Sequence, residues 1–124
     1  MGLPNQIKNF LSMQWQAQQR SYSQQFPNAN HYIVLYENEY VGRCIIEDLS
    51  GHLHLIDLSI LPDFQGKGIG TFMIELLQQK ASKKDKPLML QVFRKNSAML
   101  LYERLGFRVV EENGLYVRMQ WRKK

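Results

Sequence analysis

The feature that most constrains the fold of this chain is a turn with three alternate glycines, placed between a strand pattern and a helix pattern. The segment LSILPDFQGKGIGT runs from Leu58 to Thr71. Apolar residues then recur at the spacing of one helix face, at Ile69, Phe72, Met73, Leu76 and Leu77. The opposite, polar face is predicted to hold Glu75, Gln78, Gln79 and Ser82. A glycine-rich helix start lets successive N–H groups converge on one anion at the positive end of the helix dipole. The sequence therefore predicts a phosphate or pyrophosphate site at this turn.

The glycine spacing separates this turn from two common phosphate loops. It lacks the G-x-x-x-x-G-K-[ST] pattern of P-loops and the G-x-G-x-x-G pattern of dinucleotide-binding folds. Gln65 to Gly70 instead resembles the acetyl-coenzyme A signature Q/R-x-x-G-x-G/A of the GNAT superfamily of N-acetyltransferases. The stretch NSAMLLYERLGF, from Asn96 to Phe107, is similar to the N-x-A-x-x-L-Y-E-x-L-G-F segment of the same superfamily. The two motifs stand in the family's order, and the resemblance covers about residues 30 to 122.

The predicted elements are those of a GNAT-like α/β (α+β) fold with a mixed central sheet. In chain order they are strands at 31–36, 41–47 and 52–60, a helix from Ile69, a strand at 88–93, a helix at 97–105, and strands at 107–110 and 115–121. The first three strands form an antiparallel meander. The glycine turn, its helix and the fourth strand form a βαβ unit, which predicts a parallel pair. The last two strands form a hairpin around Glu112-Asn113-Gly114.

The N-terminal region departs from the family pattern. From Pro4 to about Gln25 the sequence predicts a helix with an irregular apolar face. Relatives usually begin with a further strand and a first helix, and only about thirty residues precede the hairpin here. We therefore expect the first strand to be absent, either because it is dispensable or because the chain is truncated. Trp15, Tyr22 and Phe26 are candidates to line an acceptor pocket, although aromatic residues at helical spacing are more often core.

Length and composition favour a single domain over residues 1–124. No apolar run reaches the roughly 18 residues needed to span a bilayer. The N-terminus also lacks a basic segment followed by an apolar one, so a soluble cytoplasmic protein without a membrane partner is the expectation. The single Cys44 lies in an apolar run and is expected to be a buried thiol.

Charge divides unevenly along the chain. Residues 1–60 hold 3 Lys/Arg and 5 Asp/Glu, whereas residues 61–124 hold 13 and 6, so the formal charges are −2 and +7. The basic half contains the glycine turn, which suits a polyanionic coenzyme. Nucleic acid is a competing partner, but Lys83-Lys84 and Arg122-Lys123-Lys124 lie at a helix end and a terminus without an interleaved aromatic platform. We interpret them as solvated surface and do not expect a nucleic-acid partner.

The resemblance implies acetyl-coenzyme A as acyl donor and a primary amine of a small molecule, peptide or protein as acceptor. The backbone of Leu58, Ser59 and Ile60 would pair with the pantetheine arm, and the glycine turn would hold the pyrophosphate. Asn96 would bind the coenzyme further along its arm, and Tyr102 would protonate the departing thiolate. The turn residues assigned to the coenzyme are Gln65, Gly66, Lys67, Gly68, Ile69, Gly70 and Thr71.

The general base is left open by the sequence. Many relatives carry a Glu where this chain has Gln91, which cannot accept a proton at useful pH. Asp57, His54 and a water chain are the substitutes. His52 and His54 lie on one strand face without a third ligand at metal spacing, so no metal is expected.

Two further interpretations follow from the missing Glu and the missing first strand. One is a catalytically weak or inactive acyl-CoA-binding module that acts as a regulatory or assembly partner. The other is a homodimer in which a second copy covers either the missing N-terminal wall or an exposed sheet edge, since an unprotected edge strand favours association.

Overall fold

The computed structural model describes residues 11–16, by their backbone only, and residues 27–123. The strands pair in the order β1-β2-β3-β4-β5-β7-β6. In chain order the elements are β1 (Leu11–Gln16), β2 (Asn30–Tyr36), β3 (Glu39–Asp48), β4 (Leu53–Ile60), a 3₁₀ turn (Pro62–Phe64), α1 (Ile69–Lys83), β5 (Leu88–Phe93), α2 (Ala98–Arg104), β6 (Arg108–Asn113) and β7 (Tyr116–Trp121). This arrangement confirms the predicted mixed sheet with its meander, βαβ unit and closing hairpin.

Contacts divide the chain into two units. The first draws on Met1–Glu47 and Ile56–Met73, and the second on Asp48–Leu55 and Ile74–Lys124. Strand β4 and helix α1 each contribute residues to both units. Whether residues 1–124 behave as a single domain stays a prediction.

The N-terminal prediction is wrong where the structure describes it. Residues Leu11–Gln16 form a strand, not a helix, and pair antiparallel with β2 from Leu11↔Tyr36 to Gln16↔His31. The segment LSMQWQ alternates apolar and polar residues, and this period of two favours a strand over a helix. A strand is therefore present ahead of the hairpin, where none was expected. The rest of the predicted helix lies outside the described residues.

Strands β2 and β3 form the hairpin predicted from the sequence. They pair antiparallel, and a two-residue turn joins them at Glu37 and Asn38. Both residues have positive φ, 53° and 65°, as a type I′ turn requires. Cys44 is fully buried in this hairpin, as predicted. The other core residues of these strands are Val34, Val41, Ile45 and Ile46.

The second unit contains the parallel pair of the βαβ unit. Strand β4 pairs with β5 in parallel from Leu53↔Leu88 to Leu55↔Leu90, which confirms the prediction. Strand β7 lies antiparallel on the other side of β5, and β6 pairs with β7 at the edge of the sheet. Every residue of β6 is exposed. The predicted homodimer would cover such an edge, and it stays a prediction.

Helix α1 is amphipathic, but its buried face differs from the predicted one, since Ile74 and Ala81 are buried whereas Phe72 and Leu76 are only half-buried. Gln78, expected on the polar side, is buried, and its Nε2 donates to the Leu105 carbonyl at 2.9 Å. The bond satisfies an acceptor just beyond α2, so a polar side chain is stabilised at a core position. Among the helices that the structure describes, none is long and apolar enough to cross a membrane.

Candidate functional site

The end of β4 lies very close to β3. The Leu61 N–H donates to the Val41 carbonyl at 2.9 Å. At the next residue of β3, Gly42, a Cβ would lie 2.3 Å from the Ser59 carbonyl oxygen and 2.9 Å from Ile60 Cδ1. Only glycine permits this approach, so Gly42 fixes the position of the strand end. Gly42 is not among the predicted site residues, although an isolated glycine in a strand pattern is a known signal for such an approach.

The chain folds back onto this strand end before the glycine turn. The Phe64 and Gln65 N–H groups donate to the carbonyls of Leu61 and Pro62 at 2.9 and 3.2 Å. The side-chain Nε2 of Gln65 donates to the Ile60 carbonyl at 2.9 Å. Gln65, predicted as a coenzyme contact, therefore has a side chain that holds the turn against the end of β4.

The glycine turn has the open backbone that an anion site requires. Gly66 and Gly68 have φ values of 76° and 85°, in the region that favours glycine. A Cβ added at Gly66 or Gly70 would meet no atom of the described chain within 4 Å. Packing against the described residues therefore does not require glycine at either position, although the positive φ does at Gly66, and the open space at both is compatible with a ligand.

The N–H groups at the start of α1 lie outside the helix's own hydrogen bonds. The first bond of the helix runs from the Phe72 N–H to the Gly68 carbonyl at 3.0 Å. The N–H groups of Ile69, Gly70 and Thr71 precede it, and such groups are donors without an intrahelical acceptor. Together with the positive end of the helix dipole they suit a phosphate.

Asp57, one of the three candidates for the base, is held by its neighbours in the first unit. Arg43 Nε donates to Asp57 Oδ2 at 2.8 Å, and Ser59 Oγ lies 3.1 and 3.2 Å from the two carboxylate oxygens. Residues 43 and 57 lie on β3 and β4, so this ion pair connects the two strands next to Gly42. The arrangement favours a structural role for Asp57.

The second motif forms the short helix α2 and its two ends. Asn96 Oδ1 accepts from the Ala98 N–H at 2.8 Å, so its side chain binds a donor of the first turn, although the N-cap position itself is Ser97. At the other end the N–H groups of Gly106 and Phe107 donate to the carbonyls of Glu103 and Tyr102 at 3.1 and 3.0 Å. With φ of 99° at Gly106, this is a Schellman motif.

Tyr102, the predicted acid, projects from α2 with its ring against Phe107. The two ring centroids are 5.6 Å apart and the ring planes are tilted by 58°. Phe107 is buried, whereas Tyr102 is partly exposed. The contact anchors one side of the tyrosine ring, as both a positioned acid and a packed core residue require.

His54 lies in the second unit, on β4, close to another histidine. Its ring centroid is 6.0 Å from that of His52. Burial, followed by the charges of His52 and Arg118, lowers the pKa of His54 below its usual value. The His54 imidazole is therefore a weaker base than an ordinary histidine and is mostly neutral at pH 7. Within residues 27–123, no three His, Cys, Asp or Glu side chains form a group that could hold a metal ion.

The predicted site residues thus fall into two sets. The structure brings Leu58 to Thr71 together in the first unit, whereas Asn96 and Tyr102 belong to the second. Of the predicted acceptor-pocket residues, Trp15 lies in β1, where the backbone alone is described, and Tyr22 and Phe26 lie outside the described residues.

Comparison with known proteins identifies the family. The model of the acetyltransferase (GNAT) domain matches residues 27–109, more than half of the chain. A curated relative, the [ribosomal protein bS18]-alanine N-acetyltransferase of Haemophilus influenzae, is 33% identical over 79 residues. That match includes 63% of this chain and 54% of the relative, so the chain spans about half the length of the curated relative.

Solved structures share the fold at low sequence identity. A GNAT family acetyltransferase from Elizabethkingia anophelis, with acetyl-CoA bound, superposes with a TM-score of 0.77 at 16% identity, over 93% of this chain and 99% of that one. The PaiA N-acetyltransferase of Thermoplasma acidophilum, in complex with coenzyme A, superposes with a TM-score of 0.70 at 21% identity, over 83% of this chain and 66% of that one. The chain, with both motifs and this fold, belongs to the GNAT acetyltransferase family.

Proposed function

We propose that the chain is an acetyl-CoA-dependent N-acetyltransferase that acts on a primary amine. The observation that carries the proposal is the open glycine turn at the start of α1, in a chain of this family. Two related folds hold coenzyme A or acetyl-CoA, and the curated relative is named for the acetylation of an alanine. We place the activity in the cytoplasm, where a ribosomal protein such as the relative's substrate is made.

The donor would be bound largely by backbone groups. The exposed N–H groups from Gly66 to Thr71 would hold the pyrophosphate at the helix start. Leu58, Ser59 and Ile60 would pair with the pantetheine arm as an added strand does. Because Gln65 already donates to the Ile60 carbonyl, we assign its side chain to holding the turn, and only its backbone to the donor.

The reaction forms an N–C bond between the amine and the acetyl carbonyl carbon and breaks the C–S bond of the thioester. The amine must be neutral to attack, and it loses a proton as the amide forms. The departing thiolate takes up a proton, which we assign to the Tyr102 hydroxyl. Asn96 would contact the donor through its amide nitrogen, because its oxygen accepts from the Ala98 N–H.

The structure favours His54 over Asp57 among the side chains proposed as the base. Asp57 is paired with Arg43 and accepts from Ser59, whereas the lowered pKa of His54 keeps its imidazole neutral. Water remains the third candidate.

An α-amine is the easier acceptor for such a site. At pH 7 a lysine-type amine, with a pKa of about 10.4, costs about 4.6 kcal/mol to deprotonate, whereas an α-amine near 7.7–8.0 costs only about 1 kcal/mol. A chain with Gln91 in place of the usual Glu therefore suits the α-amine of a peptide or small molecule.

Gly70→Val tests the proposal most directly. Gly70 lies in the first turn of α1 without positive φ, and its missing Cβ faces open space, so valine would be tolerated by the fold but would obstruct the donor. We expect a folded variant that has lost measurable acetyl-CoA binding by calorimetry. Gly51→Val is the matched control, because Gly51 also faces open space without positive φ and lies in the loop between β3 and β4.

Two outcomes would contradict the proposal. Unchanged acetyl-CoA affinity in folded Gly70→Val would mean that the turn does not bind the donor. The second outcome is that the parent protein binds acetyl-CoA tightly but consumes no thioester with any amine of a panel of α-amines and lysine-type amines. This result would favour the alternative of an inactive acyl-CoA-binding module.

A further inference from the structure

Two basic runs that lie far apart in the sequence meet in the second unit. An open depression of about 650 Å³ is lined by Lys83 at the end of α1 and by Trp121 and Lys123 at the end of β7. A second depression, of about 460 Å³, is lined by Arg108, Arg122 and Lys123, and a third, of about 280 Å³, by Lys86, Arg122 and Lys123. Because Lys123 lines all three, they form one continuous surface. The basic groove is defined by Lys83, Lys86, Arg108, Trp121, Arg122 and Lys123.

The positive charge of the basic groove is only partly neutralised by the described residues. Five cations line the three depressions, against two carboxylates, Glu75 and Asp85. Lys86 is paired with Asp48 at 2.8 Å. No ion pair with a carboxylate of residues 27–123 involves the other four cations, Lys83, Arg108, Arg122 and Lys123. Four exposed cations without counter-charges on one concave surface suit an anionic partner.

An aromatic ring lies among these cations. Trp121 is partly exposed and lines the largest of the three depressions beside Lys83 and Lys123. Its indole rests against Gly106, where a Cβ would lie 3.1 Å from Cδ1 and 3.3 Å from Nε1. The missing side chain at Gly106 therefore leaves room for the ring. A partly exposed indole in a depression that cations also line is a surface on which an unpaired base can stack.

We propose that the basic groove binds single-stranded RNA, with phosphates against its cations and a base against Trp121. The sequence argued against nucleic acid because the basic runs lie at a helix end and a terminus without an interleaved aromatic platform. The fold brings residues of both runs to one depression with Trp121. An acidic peptide would satisfy the cations but would give the indole no stacking partner. A duplex would keep its bases stacked on each other, whereas stacking of unpaired bases on aromatic rings is typical of RNA recognition.

The groove shares no residue with the glycine turn, because its residues lie at or after the end of α1, whereas the turn precedes the helix. RNA binding is thus testable apart from coenzyme binding, and it does not depend on the proposed acetyltransferase activity.

The test is the fluorescence anisotropy of a short labelled oligouridine, titrated with the full chain at several salt concentrations. Arg122→Gln/Lys123→Gln removes two groove cations. The matched control is Lys95→Gln/Arg104→Gln, which removes two exposed cations outside the groove. We expect the groove variant to bind the oligouridine roughly tenfold or more weakly, because two phosphate contacts are lost. Each lost contact lowers the slope of log K against log salt by about 0.7, so the slope should fall by about 1.4. The affinity of the control variant should stay within about twofold of the parent.

A second pair of variants tests the stacking. Trp121→Phe keeps an aromatic face and should retain binding, whereas Trp121→Leu should weaken it. If the Leu variant fails to fold, quenching of the Trp121 fluorescence by the oligouridine in a Trp15→Phe background replaces it.

Three results would overturn the proposal. One is the absence of oligouridine binding at low salt. Another is binding of polyglutamate of equal charge as tight as that of RNA, which would indicate an acidic protein partner. The third is an equal loss of affinity in the control variant, which would indicate attraction by net charge alone.

Discussion

Replacing Gly42 with alanine is the sharpest test of how β3 positions the donor-binding strand. The added Cβ would lie 2.3 Å from the Ser59 carbonyl oxygen and 3.2 Å from Ile60 Cα. The closest ordinary carbon–oxygen contacts are about 3.3 Å, so the two strands must separate by about 1 Å. The first of the contacted groups is backbone, so a side-chain rotation cannot relieve the clash.

Two measurable effects follow from that displacement. Overpacking of this kind costs about 1–3 kcal/mol of folding stability, and each kcal/mol lowers the melting temperature of a chain of this size by about 4 °C. The displaced residues are two of the three proposed to pair with the pantetheine arm. Losing two backbone hydrogen bonds of about 1 kcal/mol each weakens donor affinity about thirtyfold.

Thermal unfolding and calorimetry with coenzyme A measure the two effects separately. Gly51→Ala is the matched control, because a Cβ at Gly51 meets no described atom within 4 Å. We expect the control to keep the parental affinity and to melt within about 2 °C of the parent, as surface substitutions do.

The reasoning would be refuted by a Gly42→Ala protein with parental affinity and melting temperature, which would mean that the strands adjust without cost. Reduced stability with unchanged coenzyme affinity would contradict one assignment only. It would show that the end of β4 moves without affecting the donor, so Leu58 to Ile60 would not pair with the pantetheine arm.

Two further predictions concern the second unit. Tyr102→Phe should keep the coenzyme affinity and lower the maximal rate roughly 10²-fold in steady-state kinetics. If the variant instead keeps the parental rate but melts at a lower temperature, Tyr102 is a core residue and not the acid. Hydrogen bonds from Lys84 and Lys86 lower the pKa of Asp48 in the folded protein. The ionised carboxylate therefore stabilises the fold at pH values above the unfolded pKa of 3.8. This stabilisation is lost as the pH falls through the lower pKa of the folded state. Asp48→Asn should therefore reduce the urea midpoint at pH 7 but have little effect well below pH 3.8, and an equal loss at both pH values would contradict the ion-pair explanation.

The parts of the fold that the sequence predicts correctly depend on local patterns. The glycine turn and α1 follow from glycine spacing and a helical period within one continuous segment. The C-terminal end of α2 follows from Gly106, because glycine readily adopts the positive φ of the Schellman motif in which the last carbonyls of the helix are satisfied. The parallel pair of β4 and β5 follows from the helix between them, since a crossover helix returns the chain in the same direction.

The errors come from competing patterns and from distant partners. Six residues of alternating polarity were read as part of a longer helix, although pairing with β2 satisfies their backbone as a strand. Gln78 was assigned to the polar face because its acceptor, the Leu105 carbonyl, lies on another element. Gly42 carried a recognisable signal, but the atoms that require glycine there belong to β4, which no local pattern places beside it.

The basic groove depends on the order of the strands in the sheet, which a correct prediction of the helices and strands alone does not give. The sequence predicts the β6–β7 hairpin but not which of its strands pairs with β5. Because β7 takes that place antiparallel, Trp121 pairs with Leu88. Leu88 follows Lys83 by only five residues, so the end of β7 and the end of α1 must be neighbours. Had β6 paired with β5 instead, the end of β7 would lie one strand, about 4.8 Å, further out, and Lys123 would face Lys83 less closely. Most of the groove's cations come from two short basic runs that are visible in the sequence. The runs become neighbours only because β7 pairs with β5, which is distant from it in the sequence.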